Sequence, residues 1–267
     1  IYSIASSNVK NFAGYFYHTT AKADIRNNIF AHNGEGKAFY TENPSFTFSD
    51  YNLLYTNGAV LAQAGTPATN YANLKAWQGA YVWDINSIFY KPAFMSDEDL
   101  RPNLADPEVW AMHGRGVQIA GNDYDFNNAS RPTTLTAGVP DLGAYEFVPT
   151  ATPPVLTAIP ATPVAGGTQT FMMGTDTVSK ITWGSSVPTT ISMRRYSGVV
   201  PPGLTPTTPH MYYYTEVETT GTASGFTKQD FFMDPWQGFI DHQYQIRLGR
   251  TDASNIWLLG ANSSVDT

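Results

Sequence analysis

The chain of 267 residues contains no cysteine, which excludes disulfides, thiolate nucleophiles and cysteine-ligated zinc. Charge is also scarce. Asp, Glu, Lys and Arg together make up 14%, well under the usual share of about a quarter, so the surface must be built largely from Asn, Thr, Ser, Gln and Tyr. With 15 basic residues against 22 acidic ones, the net charge of -7 comes with no basic stripe. Nucleic acid is therefore excluded as the expected partner, and acidic phospholipid is disfavoured. No run of 18 apolar residues occurs, so no membrane span is expected. Glycine-rich phosphate loops, a Gly-x-Ser-x-Gly elbow and His-x-His or His-x-x-x-His ligand pairs are missing too.

What remains is a turn-rich, aromatic sequence with 16 Tyr, 22 Gly and 18 Pro. Such a composition suits an extracellular β-rich protein. The chain begins at Ile1 inside strand-like sequence, with no leader, and is expected to be an internal or processed fragment of a longer polypeptide.

Three apolar-asparagine segments recur early, headed by Ile4, Ile25 and Phe48. A period of about 20 to 25 residues is that of a solenoid, in which stacked coils bury what no single coil can. The repeat fades after residue 55. Tyr71 to Trp77 reads as a short helix with Leu74 and Trp77 on one face. Trp110 to Phe147 is expected to seal the stack, with Val117, Ile119, Leu142, Tyr145 and Phe147 as its apolar residues. Pro149, Pro153, Pro154, Pro160 and Pro163 mark residues 149–165 as a semi-rigid linker.

Beyond it, period-two alternation predicts strands at Gln169–Met173, Lys180–Trp183, Ile191–Tyr196, Met211–Val217, His242–Leu248 and Asn255–Leu259. The domain reading is thus residues 1–148 as solenoid coils and cap, 149–165 as linker, and 166–267 as a β-sandwich, cut short at its end.

Ser49-Asp50-Tyr51-Asn52, Leu74-Lys75-Ala76-Trp77-Gln78, Asp84-Ile85-Asn86-Ser87-Ile88, Pro92-Ala93-Phe94 and Pro140 to Phe147, in this order, carry a resemblance. Residues 45–149 resemble the C-terminal part of the right-handed parallel β-helix proteins related to pectate lyases. Arg115-Gly116 departs from that pattern, standing where relatives often have Ser-Pro. Residues 166–267, through Met193-Arg194-Arg195-Tyr196, Met211 to Tyr214 and Arg247 to Trp257, resemble a β-sandwich module of very large secreted or cell-surface proteins of the Bacteroidota. The resemblance implies an all-β chain, namely terminal coils and cap of a parallel β-helix, a linker and a sandwich. It also implies export by a gliding-associated, type IX secretion route, often in adhesins. Some β-helix relatives are polysaccharide lyases or hydrolases.

Candidate sites are sparse. Asp123, Asp125 and Asn127 alternate along a turn and offer oxygens for Ca²⁺, although the EF-hand glycine and glutamate are missing; an Asx-stabilised turn explains the same residues. Asp97, Glu98 and Asp99 beside Arg101 read as a solvated loop. Glu216 and Glu218 share a strand face, at roughly the separation glycoside hydrolysis uses, but among threonines. Of the aromatic residues, Tyr213 and Trp236 are the candidates for contact with a glycan or partner. No catalytic residue or cofactor is assigned.

The expected function is a non-enzymatic structural and adhesive segment of a large exported surface protein, acting as a rigid stalk with a binding surface. Its partners would be other domains of the same polypeptide, a surface glycan or a secretion-machinery protein. Two alternatives stand beside it: the end-cap and accessory module of a lyase or hydrolase whose catalytic coils lie upstream, and a glycan-binding module.

Overall fold

The computed structural model describes residues 2–3, 11–17, 23–42, 46–205, 207–238, 249–251, 258–259 and 264. The first half runs through β1 (Tyr2–Ser3), β2 (Phe12–Phe16), β3 (Ala23–Arg26), β4 (Ile29–His32), β5 (Lys37–Thr41), β6 (Phe46–Asp50), β7 (Leu53–Thr56), β8 (Ala62–Ala64), β9 (Thr69–Tyr71), helix α1 (Leu74–Tyr81) and β10 (Ile88–Phe89). These strands form three small sheets. One is the all-parallel series β1-β4-β7-β10. The second is β2-β5-β8, also parallel, with β9 added antiparallel at its edge. The third is the parallel pair β3-β6.

Asparagine sets the offset between strands. Asn52 Oδ1 accepts the backbone N–H of Asn28, 24 residues earlier, at 2.9 Å, and Asn52 Nδ2 donates to Ile25 O at 2.9 Å. Asn27, just before, holds the left-handed conformation that turns the chain from β3 into β4. Its side chain clasps Val117 through both the N–H and the C=O of that residue, each at 2.8 Å.

With that register fixed, Ile29, Leu53 and Ile88 line one face of the first sheet, and Phe30, Leu54 and Phe89 line the other. Both faces are covered, each by its own apolar cluster. That is why these strands read as continuous apolar runs and not as an alternation.

The closed β-helix solenoid expected from the sequence is corrected by this topology. Among the described residues the sheets are separate, with four, four and two strands, and none curls or closes. The stack is interrupted after β8, where β9 reverses direction and α1 follows. The register also overturns the proposed repeat. Ile25 pairs with Ser49, not with Phe48, and Phe48 pairs with Asp24. A slip of one residue exchanges the two faces of a strand; Ile25 is buried, whereas Phe48 is 53% exposed and lies under the Arg26 guanidinium. Ile4 lies outside the described residues.

The helix expected from Tyr71 is found but shifted to Leu74–Tyr81, with Tyr71 ending β9. Asn73 caps it by accepting from Ala76 N at 2.9 Å, and Leu74 and Trp77 are buried. The expected apolar cap is found only in part: Leu142 is buried, while Val117, Ile119, Tyr145 and Phe147 are half-buried.

The second half contains β11 (Thr157–Ile159), β12 (Thr168–Met173), β13 (Asp176–Ser186), β14 (Thr190–Ser197), β15 (Tyr213–Thr220), β16 (Ser224–Asp230), β17 (Gly249–Arg250) and β18 (Leu258–Leu259). The order β11-β12-β13-β16 makes one antiparallel sheet, and β14-β15 and β17-β18 are separate pairs. The expected β-sandwich is thereby corrected: the described residues form one four-stranded sheet and two separate antiparallel pairs, of which β14–β15 packs into the same apolar cluster as the sheet. The strand predicted over His242–Leu248 falls outside the described residues. Within the proline-rich stretch, Leu156 is buried and Thr157–Ile159 pair with β12.

One apolar cluster runs through both halves and includes Ile29, Leu53 and Trp110 together with Phe171, Trp183 and Met193. Trp236 Nε1 donates to Gly114 O at 2.7 Å, and Ser197 Oγ to His113 O at 2.9 Å. At this seam Gly198 has φ +72°, and a Cβ there would sit 2.6 Å from Gly114 Cα, so only glycine allows the approach. Among the described residues no helix is long and apolar enough to cross a membrane.

Candidate functional site

The residues singled out from the sequence occupy varied positions. Asp125 is buried, and its carboxylate is taken up by backbone donors: Oδ1 accepts from Asn127 N and Ala129 N, both at 2.7 Å, and Oδ2 from Glu146 N at 2.9 Å. Asp123 and Asn127 are exposed beside it. Asp99 pairs with Arg101 at 2.5 Å on the surface, and Ser96 Oγ accepts from the N–H groups of Glu98 and Asp99. Glu216 accepts from the Tyr196 hydroxyl at 3.1 Å and Glu218 from Ser192 at 3.4 Å, on the outer face of the β14–β15 pair.

Tyr213 and Trp236 do come together. Their rings stack with centroids 4.9 Å apart at 16°, and Trp236 is only 1% exposed. The Arg115 and Arg195 guanidinium groups lie over the same indole, at 5.9 and 5.6 Å. The pair is a seam inside the molecule, and burial pushes the Tyr213 phenol well above its ordinary value.

Three carboxylates, Asp84 fully buried and Asp176 and Glu146 half-buried, organise the interior. Asp84 Oδ2 accepts from Ser49 Oγ and Trp77 Nε1, and Oδ1 from Asn52 Nδ2 and Ser87 Oγ, all at 2.7 to 2.9 Å. Asp176 bridges Arg115 at 2.6 Å and Arg195 at 3.2 Å, joining the two halves, while burial pulls Arg115 down to about 10. Glu146 meets Arg131 at 2.5 Å and accepts from Asp141 N. Burial, and then the Asp141 carboxylate, push Glu146 up to about 8 against the pull of Arg131. Every one of these groups is engaged with its neighbours, which makes them structural.

The outward face of the second sheet is different. Tyr15 pairs with Tyr40, Tyr40 with Gln63, and Gln63 with Asn70, so these four side chains form one row across β2, β5, β8 and β9. The adjacent row, Gly14, Phe39, Ala62 and Tyr71, belongs to the opposite, core-facing side. The Tyr15 and Tyr40 rings lie 5.2 Å apart. Phe12 is 5.2 Å from Tyr40, and Tyr17 extends the patch at 6.4 Å from Tyr15. Tyr15 is 53% and Tyr17 65% exposed.

Both hydroxyls in the row are anchored: Tyr15 donates to Glu42 Oε1 at 2.6 Å and Tyr40 to Gly65 O at 3.1 Å. Gln63 Nε2 donates to Asn70 Oδ1 at 2.9 Å. That leaves an amide oxygen on one residue and an amide nitrogen on the other to pair with hydroxyl groups. A fixed exposed ring, Tyr15, and a half-buried one, Tyr40, next to open amide functions can stack on the C–H face of a sugar and bond its hydroxyls. No local pattern in the sequence marks this row. The signal lay in the recurrence of Tyr15 and Tyr40 at nearly the repeat spacing, which becomes legible only once the register is known.

No family model, curated protein or solved structure matches the chain. The resemblance to pectate-lyase relatives and to Bacteroidota sandwich modules is therefore corrected. Short motifs suggested it, but comparison returns no such relative, and the small open sheets contradict the folds it implied.

Proposed function

We propose that the chain is a structural and adhesive segment of a secreted or cell-surface protein, holding a glycan on the outward face of the β2-β5-β8-β9 sheet. The observation that carries this reading is the row Tyr15–Tyr40–Gln63–Asn70 with its anchored rings. A mostly β chain with little charge and a surface rich in Tyr, Asn and Thr agrees with it. A seam that ties both halves through Asp176 and Trp236 suits a part that must transmit force without opening. Calcium at Asp123, Asp125 and Asn127, and glycan contact at Tyr213 and Trp236, form no part of this proposal.

The test is retention of the purified chain on polysaccharide-coated surfaces, with released sugar measured in the same wells. Retention with no release of uronate or reducing-end product is expected. Steady product release would replace the adhesive reading with the enzymatic one.

A further inference from the structure

We infer that the ligand of this face is a neutral polysaccharide, bound as an extended strand that runs across the β-strands. The inference rests on the adhesive reading above and specifies its ligand. Direction follows from the row itself. Tyr15, Tyr40, Gln63 and Asn70 are successive cross-strand neighbours, so the platform extends perpendicular to the strands. Four positions at a strand spacing of about 4.8 Å span roughly 14 Å, enough for more than one sugar ring. The aromatic end offers flat apolar surface, and the amide end offers a donor and an acceptor. A chain entering at the Tyr15 end of the row would therefore meet stacking first and hydrogen bonding second.

The charge of the face selects the class. Glu42 stands at the hydroxyl of Tyr15, and its carboxylate would repel a uronate or sulfate on a bound chain. Among the described residues, the cation beside Phe12 does not compensate. Lys37 is buried, its ammonium lies 5.1 Å over the Phe12 ring, and burial lowers its pKa. The whole chain carries -7, which adds to the long-range repulsion of polyanions. Anchoring of both phenols means that little side-chain freedom is lost on binding, so a shallow face can still hold its ligand.

The experiment is affinity electrophoresis of the full chain through gels containing a neutral β-glucan, a neutral xylan, polygalacturonate or alginate. The variants are Tyr15→Ala, Tyr40→Ala and the double variant Gln63→Ala/Asn70→Ala; Tyr124→Ala, which removes an exposed ring elsewhere, is the control. Thermal unfolding checks that each variant is folded. The double amide variant removes no ring, so it keeps the test open if a tyrosine variant fails to fold.

Retardation by at least one neutral polysaccharide is expected. It should weaken about tenfold or more for each tyrosine variant, weaken measurably for the amide variant, and stay unchanged for Tyr124→Ala. Polygalacturonate and alginate should not retard the chain. Tyr15-dependent retardation by a uronate would overturn the neutral class while leaving the adhesive face intact. Retardation by none of the four, or retardation indifferent to Tyr15, Tyr40, Gln63 and Asn70, would overturn the face and the inference together.

Discussion

Trp77 donates its indole N–H to Asp84 Oδ2 at 2.8 Å, in a place where both residues are fully buried. Asp84 accepts three further side-chain hydrogen bonds there, from Ser49, Asn52 and Ser87. A single carboxylate thus joins α1 to the turns before β7 and β10. Asp84→Asn keeps the shape and tolerates the residue's positive φ, but it offers an NH₂ group to donors already in place. We expect a loss of about 2–4 kcal/mol in urea unfolding. Trp77→Phe, which removes only one donor and some volume, should cost about 1–3 kcal/mol.

Asp176 neutralises two buried guanidinium groups at once. Asp176→Asn leaves Arg115 and Arg195 facing each other in an apolar seam, and should cost about 3 kcal/mol or more. In a double-mutant cycle with Arg115→Met, the two losses should fall short of additive by more than about 1 kcal/mol. Simple additivity in denaturant melts would mean that the bridge does not hold the halves together.

The Glu146 carboxyl, pushed from 4.5 to about 8, gives stability a definite pH slope. Below about 4.5 the folded and unfolded chains both hold this proton. From there to about 8 the unfolded chain gives it up first, so stability falls as pH rises across that window. Glu146→Gln removes the group's contribution. Unfolding free energies measured every half unit should show the wild type losing stability relative to this variant between those limits, and a flat difference would contradict the assignment.

The hydrogen bond to Glu42 is the first cause of the rise of Tyr15 from 10.0 to about 12. Any contribution of this phenol to stability is present below about 10 and is lost as pH rises through about 12. In Glu42→Gln the Tyr15 phenol should titrate nearer its ordinary value, seen as phenolate absorbance appearing at lower pH in the difference from Tyr15→Phe backgrounds. An unchanged titration would show that the ring is not anchored.

Local features were legible in the sequence, whereas register was not. Leu74 and Trp77, three apart, announce a one-sided helix, and the alternation around Gln169 to Met173 and Ile191 to Tyr196 announces strands, because those signals are local. The pairing of Ile25 with Ser49 is not local. It depends on Asn28 and Asn52 aligning two turns, and the repeat that set Phe48 against Ile25 is off by one residue from the pairing that forms. The same limit hid the candidate site: the near-repeat spacing of Tyr15 and Tyr40 is the one trace of it in the sequence, and only strand pairing brings Gln63 and Asn70 into the same row. Tyr213 and Trp236 drew attention as aromatics, but their role turns on a packing partner that no sequence pattern marks.

Hydroxyl-radical footprinting of the chain with and without a neutral polysaccharide tests the central claim most directly. The account predicts that bound polysaccharide protects Tyr15, Tyr17 and Tyr40 from oxidation while leaving the exposed Tyr124 and Phe126 as reactive as before. Protection at Tyr124 and Phe126 with Tyr15 unchanged would contradict it.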